Sequence, residues 1–118
     1  MIKKIILCLI LSFSPLPAQD YIARVTYYWT GHQTSTGAKP KSGHTIAVDP
    51  KIIPYGSKVH IPLMKKTYVA QDCGPDVIRK KASRGKNIVV DVYCSSKAEA
   101  QGYIKRFPMY MPIKVIKK

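Results

Sequence analysis

Acidic side chains are scarce in this chain. Six Asp and Glu stand against 20 Lys and Arg in 118 residues, for a formal net charge of +14. Each carboxylate therefore carries weight, because one placed inside a β-branched strand needs either partners or a reaction to justify its desolvation. Long apolar runs are also missing. The longest, residues 5–11, is far short of the ~20 residues that span a bilayer, which argues against a retained membrane anchor. An arginine-rich arm, zinc-ligand spacing and an aromatic RNA-binding signature are all absent, so the positive charge alone does not point to nucleic acid. His32, His44 and His60 stand on separate segments without metal-ligand spacing, and neither a metal nor a cofactor is expected. No internal repeat and no second domain is visible.

Residues 1–18 begin with Lys3 and Lys4, continue through the short apolar run and end in Pro15-Leu16-Pro17-Ala18. That is the pattern of a secretory signal peptide. The expected mature chain, residues 19–118, is the size of one domain with one small core. Loss of Lys3 and Lys4 would leave its charge near +12, two below the full chain. Secretion and basicity together favour an anionic cell envelope as surroundings, since charge raises encounter rate without specifying a contact. A secreted or periplasmic monomer is expected.

Three aspartates lie in three separate segments: Ala47-Val48-Asp49-Pro50, Ala70-Gln71-Asp72-Cys73-Gly74 and Val89-Val90-Asp91-Val92-Tyr93. In an oxidising compartment Cys73 and Cys94 form an even pair, for which a disulfide is the default. If residues 68–73 and 88–94 are both extended, alternation places Tyr68, Ala70 and Asp72 on one face and Cys73 on the other. It likewise separates Asp91 from Cys94. Side-by-side strands stapled through the cysteines would then bring Asp72 and Asp91 together. Such a bridge would stabilise the fold by roughly 3 kcal/mol.

The remaining punctuation suits a small β-barrel or sandwich. Residues 22–29, 45–48, 58–61, 67–71, 88–93 and 113–116 read as short strands, separated by Pro50, Pro54-Tyr55-Gly56, Pro62, Gly74-Pro75 and Pro112. Residues 30–43 read as a long loop. Ser96-Lys97-Ala98-Glu99 matches a capping box and predicts one short helix, with Gly102 suited to its end and Glu99 structural. The basic stretch 75–87 reads as an excursion.

The run Thr36-Gly37, the block from Ile46 to Val59 that contains Ala47-Val48-Asp49-Pro50, Ile53-Pro54 and Gly56-Ser57, then Ala70-Gln71-Asp72-Cys73-Gly74 and Asp91-Val92-Tyr93 resemble a three-aspartate (3D) domain. The three aspartates of that family map onto Asp49, Asp72 and Asp91. The resemblance implies a mainly β fold, a six-stranded double-psi β-barrel with one short helix. It also implies cleavage of peptidoglycan glycan strands, as in the membrane-bound lytic transglycosylase A family and small secreted muralytic proteins. In those relatives the third aspartate is acid and base. That role carries over to Asp91, with Asp72 lining the same cleft and Asp49 beside the turn that shapes it. The chain departs from the pattern after Asp72, where its longer basic stretch replaces a short glycine-rich link. Its Asp72-Cys73-Gly74-Pro75 segment also resembles the related rare-lipoprotein-A and expansin-like barrels, some of which bind or loosen polysaccharide.

The chemistry agrees with this assignment. Glycosidic cleavage needs an acid for the leaving oxygen and a nucleophile for the oxocarbenium-like centre. If the sugar supplies its own hydroxyl, one carboxyl can serve as acid and then as base. Two carboxylates on one face would raise one another's pKa, and burial beside Val89 and Tyr93 would add to this. Among the other polar and aromatic residues, Thr36 and Gly37 belong to a rim that can meet sugar hydroxyls, and Tyr27, Tyr28 and Trp29 could stack on sugar rings. Asp before Pro also commonly bonds its own turn, which is the plainer role for Asp49. Three classes remain: a glycan-cleaving enzyme, a glycan-binding module, and a scaffold that uses the barrel for neither.

Overall fold

The computed structural model describes residues 18–78 and 87–118. Six segments rich in β-branched and aromatic side chains are extended: β1 (Ala18–Tyr28), β2 (Thr45–Ala47), β3 (Lys58–Ile61), β4 (Lys66–Asp72), β5 (Ile88–Tyr93) and β6 (Tyr110–Ile116). Their alternation is clearest in β6, where Met111, Ile113 and Val115 are buried while Tyr110, Pro112, Lys114 and Ile116 are exposed. A sheet whose strands each carry one apolar face must cover that face, and here it does so by curling on itself. The barrel closes in the order β1, β5, β2, β4, β3, β6. Two contacts, β1/β5 and β2/β4, are parallel and the other four are antiparallel. This closed, mixed order is the mainly β, six-stranded double-psi barrel implied by the family resemblance.

The interior is filled from every strand, by Ala23 and Val25, Ile46, Val59 and Ile61, Tyr68 and Ala70, Val90 and Val92, and the three inner residues of β6. Four strands differ from their expected bounds: β2 ends one residue early, β4 gains a residue at each end, β1 spans Ala18–Tyr28 and β6 starts three residues early. The first residues of β1 are extended because they pair with β6. β6 begins at Tyr110 and runs through Pro112, which pairs with Ile22 at a level that β3, whose partners stop at Lys114, does not reach. A proline is tolerated where the strand has a neighbour on one side alone.

One helical turn, α1 (Pro75–Ile78), follows β4, and a longer helix, α2 (Lys97–Arg106), follows β5. The cap of α2 is the expected one, with the Ser96 side chain accepting from the Glu99 N–H at 3.1 Å. The Glu99 carboxylate reaches Ser95 and the Ser42 hydroxyl instead of closing the box on Ser96, and so ties the loop before β2 to the helix. Hydrogen bonds from these two serines hold its pKa below the usual carboxylate range. Gly102 does not end the helix. α2 continues to Arg106 and stops before Pro108, where Phe107 takes an extended conformation, as the residue preceding a proline prefers.

The expected signal peptide falls almost wholly outside the described residues, as does most of the basic stretch, at positions 79–86. None of the described helices is long and apolar enough to cross a membrane.

The Cys73–Cys94 disulfide is not formed; both cysteines are free. The premise that their strands are neighbours fails, because β2 lies between β4 and β5. Cys94 follows Val90 and Val92 into the core, whereas Cys73 lies at the end of β4 beside Ser35, its Sγ 3.4 Å from the serine Oγ. Burial pushes the Cys94 thiol up to about 12, with the charges of Glu99 and Asp91 adding to it.

Candidate active site at the rim of β2, β4 and β5

The site is built around a register irregularity. Ile46 pairs with Ala70, but the next residue of β2, Ala47, pairs with Asp72, which leaves Gln71 as an extra residue in β4. Such a bulge rotates the strand and re-aims the side chains beyond it. Ala47 also pairs with Asp91 on its other side. Asp72, Ala47 and Asp91 therefore form one row across three strands. With strands ~4.8 Å apart, the two aspartate backbones are separated by about 10 Å. The two residues lie in one row across an intervening strand, and not on the side-by-side strands that the expected cysteine staple required.

Asp91 is 8% exposed and is a buried acid in a strand otherwise made of Ile, Val and Tyr. The parallel pairing of β1 with β5 sets Thr26 opposite it. The Thr26 hydroxyl donates to Asp91 Oδ1 at 3.0 Å.

Asp72 is held differently. Its Oδ1 accepts from the Ser35 N–H, the Ser35 hydroxyl and the Cys73 N–H, each at 2.9 Å, and its Oδ2 accepts from the Tyr28 hydroxyl at 2.9 Å. Both oxygens are thus engaged in fastening the loop of residues 29–44 and the end of β1 to β4. Tyr28 reports on both acids. Burial raises its phenol pKa most, the hydrogen bond to Asp72 comes next, and the charges of Asp72 and Asp91 both contribute. Its ring meets Tyr93 edge-on at 5.3 Å. The Tyr55 phenol is raised, chiefly by the neighbouring Cys73 and next by burial.

Asp49 takes the turn role. Its Oδ1 accepts from the Lys51 N–H at 3.0 Å and its carbonyl from the N–H groups of Ile52 and Ile53. Thr36 and Gly37 shape the loop. The Thr36 N–H and hydroxyl both donate to the carbonyl of Gln71, the residue the bulge leaves unopposed, and Gly37 adopts a φ of +90° that favours glycine. Tyr27 alternates away from the acids and stacks on Tyr103 at 5.6 Å, with burial raising its phenol to about 12. The structure thus gathers Asp72, Asp91 and Tyr28 at one rim, places Thr36 and Gly37 behind Asp72, and sets Tyr27 on the α2 side. Thr26 and Ser35, which hold the two acids, carry no sequence signal for those roles because their partners lie 65 and 37 residues away.

The family model of the 3D domain matches residues 44–107, a span that holds Asp49, Asp72 and Asp91, and leaves β1, β6 and the Thr36-Gly37 loop outside it. No curated protein matches the chain. With more than half of its length matched, on a closed six-stranded barrel, the chain belongs to the 3D domain family.

Proposed function

We propose that this protein cleaves peptidoglycan glycan strands as a lytic transglycosylase, with Asp91 as its single acid and base. Membership of the 3D domain family suggests a peptidoglycan-related, transglycosylase-like activity. The observation that supports Asp91 is its burial, at 8% exposure, in an apolar strand where the Thr26 hydroxyl orients its carboxyl. Asp72 fastens the loop and strand ends beside it.

In this reading Asp91 gives its proton to the oxygen of the MurNAc–GlcNAc bond as that bond breaks. A hydroxyl of the same MurNAc then attacks the anomeric carbon and returns a proton to the Asp91 carboxylate. The products are an anhydro sugar end and a free GlcNAc hydroxyl, and the residue is ready for another turn. Asp72 and Tyr28 shape the rim and Asp49 the turn beside it. The leader at residues 1–18 would deliver the protein to the periplasm or the cell exterior, where this polymer lies.

Digestion of purified peptidoglycan, with product masses read by mass spectrometry, tests the reading. Anhydro-muropeptides from the wild type and none from Asp91→Asn are expected. Intact sacculi that bind both proteins would replace the proposal with an expansin-like binding module.

A further inference from the structure

The end of β1 and the C-terminal half of α2 enclose a groove of about 530 Å³, lined mainly by Tyr27, Trp29, Ile104, Phe107 and Met109. No charged side chain lines it. Of its hydroxyl-bearing residues, Thr26 donates to Asp91 and Tyr27 has its hydroxyl buried, so the walls offer little to the hydroxyls of a sugar. Trp29, Ile104 and Met109 are nonetheless 39%, 58% and 54% exposed, and Tyr110, next to Met109, is 53% exposed. Large apolar side chains grouped at the surface mark a contact surface.

The lip of the groove is cationic. Lys105 and Arg106 form the last turn of α2. The Arg106 guanidinium lies 5.3 Å from the Tyr103 ring centroid and 5.4 Å from that of Phe107, which holds its charge at the edge of the apolar wall. An indole and a phenol beside aliphatic side chains, bordered by basic groups on a chain of charge +14, match the layering of a bilayer surface. Aromatic rings suit headgroup depth, aliphatic groups the acyl boundary, and cations the lipid phosphates.

We propose that this groove and its lip dock the protein on an anionic phospholipid surface. The groove shares Thr26 with the proposed acid Asp91, so its test uses Trp29, Ile104 and Met109, which bond neither Asp91 nor Asp72, and a vesicle readout that does not depend on glycan cleavage.

Trp29 is the single tryptophan of the chain, so its fluorescence reports on the groove directly. The expected result with mixed phosphatidylglycerol–phosphatidylcholine vesicles is a blue shift, absent with phosphatidylcholine alone and diminished by high salt. Ile104→Gln with Met109→Gln should weaken vesicle partitioning at least about tenfold, with unchanged far-UV circular dichroism. Should the double variant misfold, Ile104→Gln alone, at an exposed position, carries the same test. Vesicle adhesion without a Trp29 shift, or undiminished partitioning of a folded variant, overturns the proposal. A blue shift produced by soluble glycan fragments and not by vesicles also overturns it and assigns the groove to the polysaccharide.

Discussion

The Thr26 hydroxyl donates to Asp91 Oδ1 at 3.0 Å across the parallel pair of β1 and β5, so a residue with no counterpart among the three aspartates orients the carboxyl proposed to do the chemistry. Removing that donor while keeping the side-chain shape isolates its contribution. Thr26→Val should lower glycan cleavage about tenfold to a hundredfold, the range of a hydrogen bond to a charged group, and Thr26→Ser should restore most of it. Asp91→Asn should cost about a hundredfold or more, as loss of a general acid does. Equal rates for Thr26→Val and the wild type would remove Thr26 from the site.

Asp72 is expected to act through structure. Tyr28→Phe deletes one of its four donors and should lower stability by about 1–2 kcal/mol. Asp72→Ala removes all four contacts and should cost more. Hydrogen exchange at Ser35 and Cys73, whose N–H groups bond Asp72, should accelerate in Asp72→Ala. Unchanged protection of both amides would show that Asp72 does not hold the loop.

The two cysteines should behave as independent thiols. A reductant should leave the melting temperature unchanged, and a thiol reagent should modify Cys73 in the folded protein while Cys94 reacts after unfolding. A clear drop in melting temperature on reduction would mean that the bridge forms after all.

Stability should fall at alkaline pH. Burial raises the Cys94 thiol and the Tyr27 phenol to about 12 in the fold, and it raises Tyr68 in the same direction. The unfolded chain releases these protons earlier, near pH 8.5 for a thiol and about 10 for a phenol. Between those values and about pH 12 the folded state binds more protons, so the stabilisation is complete below about pH 8.5 and is lost as pH rises. Denaturant midpoints measured from pH 7 to 11 should decline across the upper half of that range. A flat profile would contradict the burial of these groups.

Much of the barrel is legible in the chain because period-two alternation is a local property. β3 and β5 fall at their expected residues, and the inner faces of β5 and β6 follow from the spacing of valine, isoleucine and methionine. The start of α2 is readable because a serine cap acts within four residues. Its end is not, since Gly102 is tolerated inside a helix and the stop is set by Pro108. The expected cysteine pairing fails for a different reason. Alternation tells which face a residue takes but not which strands are neighbours, and the placement of β2 between β4 and β5 separates Cys73 from Cys94.

Residue type and short spacing carry the basic charge, the strand pattern, the helix cap and the segments around Asp49, Asp72 and Asp91, so all of these can be read along the chain. What the aspartates do depends on the folded barrel. The bulge at Gln71 brings Asp72 into one row with Ala47 and Asp91, and barrel closure delivers Ser35 and Tyr28 to Asp72 and Thr26 to Asp91. Register and closure arise from burying every inner face at once, a condition on the whole chain that no local segment states.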